Sequence, residues 1–278
     1  MSEERLELDE PSKAVLREAR ALLRAKERRA SGRFLVEGRQ GVREALERPG
    51  VVQWLFVRWA NAHDNLDLIA LARETGVPVY AVSEQNLATM SDTVSPQGVT
   101  AVANAVGVPL EQALAPREDG RPVRLVVVCA QIRDPGNAGT VIRCADAFGA
   151  DAVIMSTDSV DLHNPKVVRA SVGSMFHLPI VTGVELTAAL DACRAAGLTV
   201  LATDGEADTT LLDVGDDLAR PTAWVMGNEA WGLPTEHLAL ADRSVAVPLY
   251  GSAESLNLAT AAAICLYTSA TAQRAAAN

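Results

Sequence analysis

Cysteine and histidine are scarce in this 278-residue chain, and their spacing argues against the common metal sites. The four cysteines, Cys129, Cys144, Cys193 and Cys265, lie far apart and form no C-x-x-C pair, the spacing typical of zinc ligands. The four histidines form no H-x-x-x-H pair. Because each cysteine falls in an apolar strand or helix pattern, we expect reduced thiols in the core and no bound metal.

Other features that the sequence lacks narrow the class of protein further. The longest apolar runs are too short to cross a bilayer. The opening MSEERLELDEPSK is polar and acidic and has no apolar core of a secretory signal. No G-x-G-x-x-G or G-x-x-x-x-G-K-[ST] motif occurs, so a standard dinucleotide or P-loop site is poorly supported. With 49% apolar residues the chain can build a core, and we expect a soluble cytoplasmic protein.

Charge is distributed unevenly along the chain. The net charge is −10 and the pI is about 4.9, which argues weakly against a protein that coats nucleic acid. Residues 11–43 nevertheless carry a local charge of +7, so the rest must carry −17. This asymmetry predicts a local anion-binding surface on an acidic body. Its ten basic residues are Lys13, Arg17, Arg20, Arg24, Lys26, Arg28, Arg29, Arg33, Arg39 and Arg43.

The hydrophobic pattern predicts two α/β regions joined by a linker. One amphipathic helix is predicted over 13–30, and short strands and helices then alternate as far as residue 106. Residues 109–123 are rich in proline and charge, which is typical of a linker. Alternation resumes at RLVVVCA and favours a parallel sheet with both faces covered. The predicted domains are therefore 1–108, a linker over 109–123, and 124–278.

Two polar segments in the second region open helices. DPGNAGTVIRCADAFGA (134–150) has a Pro-Gly turn, then Asn137 as a candidate N-cap and a helix that carries Arg143. NPKVVRASVGSMFHLPI (164–180) places Lys166 and Arg169 three residues apart, hence on one helix face. That face suits a phosphate, although a solvated basic face explains it equally well.

A third polar block lies near the end of the chain. GNEAWGL (227–233) follows a buried strand, and VPLYGSAESLN (247–257) precedes an alanine-rich helix. Polar loops at strand ends that lead into helices are where open α/β proteins place ligands.

Taken in order, the three blocks resemble the three motifs of the SpoU (TrmH-like) branch of the SPOUT RNA methyltransferases. The resemblance covers Leu125 to Tyr267. RFLVEG (33–38) and SPQGVTAV (95–102) resemble the ribosomal-protein-like α/β substrate-binding domain of many SpoU enzymes. The motif positions matched are Asn137, Arg143, Arg169, Ser171, Gly173, Gly227, Asn228, Glu229, Gly232, Pro248, Ser255, Leu256 and Asn257.

The resemblance implies a fold and a cofactor. The C-terminal domain is expected to be a SPOUT parallel sheet with a deep trefoil knot that wraps the adenosyl group of S-adenosylmethionine. A smaller N-terminal α/β domain is expected to bind structured RNA. Family members are dimers with shared sites, so a homodimer is expected. The implied cofactor-binding residues are Gly227, Val247, Leu249 and Leu256, although Val247 and Leu256 also suit a plain core role.

The resemblance also implies roles for the polar residues. Arg143 is expected to abstract the ribose proton or stabilise the oxyanion, while Asn137 and Glu229 position Arg143 or the ribose. Ser255 and Asn257 are expected to complete the catalytic pocket. The expected RNA-binding residues are Arg169, Lys166, Arg33, Arg24 and Arg28.

The function implied is transfer of a methyl group from S-adenosylmethionine to a ribose 2′-hydroxyl of RNA. The RFLVEG element resembles the ribosomal-RNA members, including the thiostrepton-resistance type, so large-subunit (23S) rRNA is the expected substrate. A tRNA 2′-O-methyltransferase and a non-catalytic RNA-binding module of the same fold remain alternatives. A small-molecule enzyme of Rossmann type is disfavoured by the missing glycine fingerprint and by the basic N-terminal helix.

Overall fold

Strands and helices alternate along the chain, as the sequence predicts. The computed structural model describes residues 7–93 and 96–277, so residues 1–6 of the predicted first domain and Ser95 of the SPQGVTAV block lie outside the described residues. Up to residue 106 the elements are α1 (Lys13–Ala21), α2 (Ala25–Ser31), β1 (Arg33–Glu37), α3 (Arg39–Glu47), β2 (Val52–Arg58), α4 (Leu66–Glu74), β3 (Val79–Val82), α5 (Glu84–Ala88) and β4 (Val99–Asn104).

The remaining elements continue the alternation to the end of the chain. They are α6 (Leu110–Ala113), β5 (Leu125–Cys129), α7 (Pro135–Phe148), β6 (Ala152–Ser156), α8 (Pro165–Ser171), β7 (Ile180–Val184), α9 (Leu186–Ala195), β8 (Thr199–Thr203), α10 (Leu211–Val214), β9 (Thr222–Met226), α11 (Thr235–Leu238), β10 (Arg243–Val245) and α12 (Leu258–Ala275).

The chain divides into two compact units whose bounds differ from the predicted domains. The first unit ends at Val106 but also includes Asp161–Phe176, which carries α8. The second unit holds Gly107–Val160 and the chain from His177 onward. Residues 109–123, predicted as a linker, contain α6, and its Ala113 is buried in the core of the second unit. Apolar burial therefore overrides the proline-rich composition there.

The first unit is built on a mixed sheet of order β1-β4-β2-β3. Strand β4 runs antiparallel to β1 and β2, while β2 and β3 are parallel. Leu35, Phe56 and Val102 pack on one face against α1 through Ala19 and Leu22. Because successive side chains alternate between faces, Val36 points the other way, where a β-carbon on Gly41 of α3 would lie 3.3 Å from it. Helices therefore cover both faces of this small sheet.

The helix predicted over 13–30 is broken into α1 and α2. Arg24 has an extended backbone (φ −91°, ψ 129°) between them. The buried guanidinium of Arg28 donates to the carbonyls of Leu22 at 3.0 Å and Leu23 at 2.9 Å. The carbonyls at the end of a helix lack partners within it, so Arg28 satisfies them and stabilises the break. Helical spacing alone does not reveal such a tertiary contact.

The second unit contains a six-stranded sheet of order β10-β8-β9-β5-β6-β7, and all of its pairs are parallel. Leu190 and Cys193 of α9 pack on one face. On α12, Ser269 accepts a hydrogen bond from the buried Trp224 Nε1 at 2.9 Å. The predicted parallel sheet with both faces covered is confirmed.

The strand order of this sheet identifies a preferred ligand position. From β5 the chain runs outward to β6 and β7, then crosses to the other side of β5 and forms β8, β9 and β10. Strands β5 and β9 are therefore neighbours at a point where the strand order reverses. Open α/β sheets bind ligands outside the carboxyl ends of the strands at such a point.

Neither a membrane-spanning helix nor a cluster of metal ligands is found among the described residues. None of the helices within 7–93 and 96–277 has both the length and the apolarity of a membrane span. The same part of the chain contains no group of three or more histidine, cysteine, aspartate or glutamate residues placed to hold a metal ion.

Candidate active site

The loops that follow β5 and β9 are joined directly by a hydrogen bond. Asn228, the second residue after β9, donates from Nδ2 to the carbonyl of Gln131 at 2.8 Å. Gln131 has a φ of +55°, which is unusual for a residue with a side chain. Its N–H donates to Ser156 Oγ at 2.9 Å. A strained backbone held by neighbours on both sides is typical of functional loops.

Glu229 is anchored at the start of α7. Its Oε1 accepts from the backbone N–H of Asp134 at 3.0 Å, and its Oε2 accepts from that of Arg133 at 3.3 Å. Oε1 also accepts from Asn137 Nδ2 at 3.4 Å. A helix N-terminus carries unpaired N–H groups and a partial positive charge, so it stabilises a carboxylate there. Glu229 is exposed, and its carboxylate is nevertheless held in one orientation.

Asn137 is not the N-cap of α7, contrary to the sequence-based prediction. Asp134 is the cap, and its Oδ1 accepts the N–H of Asn137 at 2.8 Å. The side chain of Asn137 is therefore available to accept from Asn257 Nδ2 at 3.0 Å. Asn257 in turn caps α12 by accepting the N–H of Ala259 at 2.9 Å. The first turns of α7 and α12 thus meet at Asn137, beside Glu229.

Arg143 and Ser255 lie outside this network. Arg143 is exposed on α7 and makes no hydrogen bond or ion pair within the described residues. Since each residue turns a helix by about 100°, a six-residue step from Asn137 places Arg143 about 120° around the axis. Ser255 is also exposed and has no hydrogen bond in the described part of the chain. The structure gathers Asn137, Glu229 and Asn257, and it leaves Arg143 and Ser255 apart from them.

Gly227 has no room for a side chain. A β-carbon there would lie 2.6 Å from the carbonyl oxygen of Gly232 and 2.7 Å from the nitrogen of Leu233. The turn is closed by two backbone bonds between Asn228 and Gly232, at 2.8 and 2.9 Å. The space beside Gly227 is therefore filled by the protein's own turn, which fixes the loop that carries Glu229.

The segment 247–256, which links β10 to α12, leaves its backbone free. None of its N–H or C=O groups has a hydrogen bond with the described part of the chain. Val247 and Leu256 are half-buried, and Leu249 is 40% exposed. Unpaired main-chain donors and acceptors beside apolar side chains suit a ligand that is read by its edges and packed on its faces, as an adenosyl group is. The residues present therefore fit the expected cofactor.

Arg28 is removed from the predicted RNA-binding set by its burial. Its side chain is 5% exposed and pairs with Asp161 through Nη2 at 2.6 Å. Its remaining donors contact Asp161 and the two carbonyls at the end of α1. The guanidinium stabilises the first unit and is not placed to bind a phosphate.

The other predicted RNA-binding residues stay at or near the surface of the first unit. Arg24 is 70% exposed on its side chain, and Lys166 is exposed on α8. Arg33 lies over the ring of Trp54, with 5.1 Å from its guanidinium carbon to the ring centroid, and pairs with Glu18. Arg169 is half-buried and already paired with two carboxylates, those of Glu37 and Asp92.

Neighbouring acids neutralise part of the basic stretch. Arg39 and Arg43 both pair with Asp67, which lies outside the 11–43 window. Within the basic stretch 11–43, the exposed cations that have no ion pair with the described part of the chain are Lys13, Arg17, Lys26 and Arg29. These four lie on α1 and α2, so the positive surface is smaller than the sequence predicts.

Two supporting residues were missed as site residues at the level of sequence. Asp134 caps α7, and Asn228 ties the loops after β5 and β9 together. An aspartate directly before Pro-Gly at a helix start is a usable cap signal. No sequence signal identifies the partner of Asn228, because Gln131 lies 97 residues away.

Both α/β regions of the chain match known protein families. Residues 124–267 match the SpoU rRNA Methylase family, and residues 13–101 match the MRM3-like substrate binding domain. A 23S rRNA (guanosine(2553)-2′-O)-methyltransferase from Bacillus subtilis is 35% identical over 87% of this chain and 90% of its own length.

Solved structures extend the similarity to the whole fold. The SpoU methyltransferase AviRb from Streptomyces viridochromogenes, in complex with AdoMet, has a TM-score of 0.80 and 32% identity over 95% of this chain and all of its own. An AdoMet-bound rRNA methyltransferase from Sinorhizobium meliloti has a TM-score of 0.77 and 29% identity over 94% and 96% of the two chains. Since the family match covers more than half of the chain and includes every residue of the Asn137–Glu229–Asn257 network, the chain belongs to the SpoU rRNA methylase family.

Proposed function

We propose that this protein transfers a methyl group from S-adenosylmethionine to a ribose 2′-hydroxyl of RNA, with 23S rRNA as the substrate. The observation that carries the proposal is the Asn137–Glu229–Asn257 network at the β5/β9 crevice, in a chain of this family. The relative from Bacillus subtilis is named for 2′-O-methylation of a guanosine in 23S rRNA. This favours rRNA over tRNA as the substrate here.

The cofactor is proposed to lie against the 247–256 segment and the turn after β9. Gly227, Val247, Leu249 and Leu256 would hold its adenosyl group through free main-chain atoms and apolar contacts. When bound, S-adenosylmethionine supplies an electrophilic methyl group. The trefoil knot around the cofactor, which the family resemblance implies, remains a prediction.

The polar network is proposed to orient the target ribose. Asn257 fixes the amide of Asn137, and Glu229 is fixed by three donors, so neither side chain has to reorganise when RNA binds. Holding a nucleophile in one orientation removes much of the entropic barrier to its attack. Ser255 is exposed and lies two positions before Asn257 in the sequence, and it would complete the pocket.

Arg143 is proposed to stabilise the negative charge that develops on the ribose oxygen. Because a guanidinium keeps its proton at neutral pH, it is suited to stabilise a negative charge and poorly suited to abstract a proton. Arg143 is exposed, and it is unpaired within the described residues. We therefore also propose a homodimer in which Arg143 serves the site of the second copy. Mixed dimers of Arg143→Ala and Glu229→Gln subunits would then regain activity that each parent lacks.

RNA is proposed to contact the exposed cations of the first unit. Lys13, Arg17, Lys26 and Arg29 are exposed on α1 and α2, and Arg24 is exposed between the two helices. Phosphate contacts of this kind release counterions, so affinity is expected to fall steeply with salt. The reaction is proposed to take place in the cytoplasm, where rRNA is made and assembled.

The decisive experiment is methyl transfer from labelled S-adenosylmethionine to separate rRNA and tRNA pools, with 2′-O-methyl mapping of the product. A labelled ribose in 23S rRNA supports the proposal and locates the nucleotide. Label only in tRNA overturns the choice of substrate. Ribosomal assembly intermediates serve as a third substrate pool. Absence of transfer to all three pools, together with absence of cofactor binding, overturns the enzyme and leaves an RNA-binding module.

A further inference from the structure

We propose that Trp231 and Arg133 form a stacking platform for a base of the RNA at the target ribose. The inference rests on the proposed function, because it assigns a substrate-binding surface to the same site. It concerns two residues outside the predicted catalytic, cofactor-binding and RNA-binding sets.

Trp231 is presented to solvent by a rigid turn. It lies between Glu229 and Gly232 in the turn that two backbone hydrogen bonds close at 2.8 and 2.9 Å. Its surface is nevertheless 50% exposed. A large aromatic side chain on a fixed support, with half of its surface in water, loses little conformational entropy when a flat ligand packs on it.

Arg133 lies on the indole of Trp231. The distance from its guanidinium carbon to the ring centroid is 5.2 Å, which is within the range of a cation–π contact. The guanidinium is exposed and has no ion pair or side-chain hydrogen bond in the described part of the chain. Its donors therefore remain available for a phosphate or a base edge, while the aromatic surface remains available for stacking.

Both residues are tied to the proposed ribose site. The backbone N–H of Arg133 donates to Glu229 at 3.3 Å, and Trp231 is two residues from Glu229 in the closed turn. The same carboxylate accepts from Asn137. Because a base is attached to its ribose, a nucleoside oriented by Asn137 and Glu229 presents its base next to this turn.

The other tryptophan of the second unit has a different environment. Trp224 is fully buried in β9 and bonded to Ser269. Trp224 is a packing residue, whereas half of the surface of Trp231 is left uncovered by its own unit. An exposed aromatic side chain beside an unpaired guanidinium is a combination that single-stranded RNA sites use.

The test compares Trp231→Ala, Trp231→Phe and Arg133→Gln with the wild-type protein on in vitro transcribed 23S rRNA. Leu212→Ala is the matched control, since Leu212 is an apolar side chain of the second unit that is 70% exposed. We expect Trp231→Ala to raise the KM for RNA about 5- to 100-fold, and Arg133→Gln to raise it less. Trp231→Phe is expected to restore part of the affinity, while the Kd for S-adenosylmethionine and the unfolding temperature stay unchanged.

A spectroscopic readout separates stacking from a structural role. The fluorescence of Trp231, taken as the difference between wild type and Trp231→Phe, is expected to be quenched by 23S rRNA. An unchanged KM for RNA in Trp231→Ala and Arg133→Gln, or an unquenched Trp231, overturns the platform. A change in oligomeric state on Trp231→Ala would instead assign the residue to a contact between two copies. If the wild type transfers no methyl group, the proposed function fails, and the quenching titration still decides the platform.

Discussion

Asn137 accepts a hydrogen bond from Asn257, 120 residues away, at 3.0 Å, and this contact joins the first turns of two helices. Asn257 has two tasks that different atoms perform. Its Oδ1 caps α12, and its Nδ2 fixes the amide of Asn137. The two tasks can be separated by substitution.

Asn257→Asp keeps the cap and removes the donor to Asn137. Aspartate caps a helix as well as asparagine does, so we expect an unchanged unfolding temperature. The rate of methyl transfer is expected to fall about 10- to 100-fold, because a misplaced positioning group costs that much. Asn257→Ala is expected to show the same loss of rate and to lower the free energy of unfolding by about 1 kcal/mol. Single-turnover assays and thermal unfolding measure the two effects. Wild-type turnover in Asn257→Asp would show that the Asn137 contact is dispensable.

Arg143→Ala tests the proposed charge stabilisation. We expect the rate of methyl transfer to fall about 100- to 1000-fold, as when a transition-state donor is removed. The Kd for S-adenosylmethionine is expected to stay unchanged. Arg220→Ala is the control, because Arg220 is 71% exposed in the same unit and only loosely paired with Asp217. Full methyl transfer by Arg143→Ala would refute the role of this residue.

Substitution of Arg28 is expected to affect stability, whereas substitution of the exposed cations of α2 is expected to affect RNA affinity. Arg28→Met leaves Asp161 and two carbonyls without their partner, so the free energy of unfolding is expected to fall by about 3 kcal/mol. The double substitution Lys26→Ala and Arg29→Ala is expected to leave stability unchanged and to lower RNA affinity. Its slope of log affinity against log salt is expected to decrease by about one to two. Urea unfolding and filter binding at several salt concentrations distinguish the two cases. A salt slope equal to that of the wild type argues against an RNA surface on α2.

Thiol reactivity follows from burial of the cysteines. Burial raises the pKa of Cys129, Cys193 and Cys265 to about 12 each. Since the thiolate is the reactive form, these three are expected to be inert to a thiol reagent at pH 8. Cys144 is half-buried. Burial raises the pKa of its thiol, and the charge of Arg143 offsets part of that rise. We expect it alone to react in the folded protein and all four to react in urea. Rapid labelling of any thiol in the folded Cys144→Ser variant would contradict this.

His163 is expected to make the stability of the first unit pH-dependent. Burial lowers the pKa of its imidazole from the ordinary 6.5, while Asp161 and the contact with Val106 oppose the shift and Arg28 adds to it. The unfolded chain therefore takes up a proton first as the pH falls below about 6.5. The free energy of unfolding is expected to decrease from there until the pH reaches the pKa of the folded state.

The control for that prediction is His163→Asn. Asparagine retains an acceptor for the N–H of Val106, which His163 Nε2 accepts at 3.1 Å. Urea unfolding of both proteins at pH 7.5, 6.5 and 5.5 is expected to show a flatter profile for the variant. The exposed His63, replaced by asparagine, is expected to leave the profile as it is in the wild type. Parallel profiles for wild type and His163→Asn would remove His163 as the cause.

Local patterns predict most of the elements because short-range physics sets them. The segments 134–150 and 164–180 open α7 and α8 as expected, with Asp134 and Asn164 as the caps. The parallel second sheet follows from alternating apolar strands and helices. The three polar blocks at strand and helix ends also identified the family, which the comparison confirms.

Contacts between residues far apart in sequence required the tertiary structure. Helical spacing does not show that Arg28 turns inward to Asp161, 133 residues away, and breaks the first helix. Charge counting does not show that Asp67 neutralises Arg39 and Arg43. The same holds for the side chain of Asn137, whose partners Glu229 and Asn257 lie 92 and 120 residues away. Local propensity therefore determines where elements and loops lie, while long-range hydrogen bonds and ion pairs decide which polar side chains are free to act.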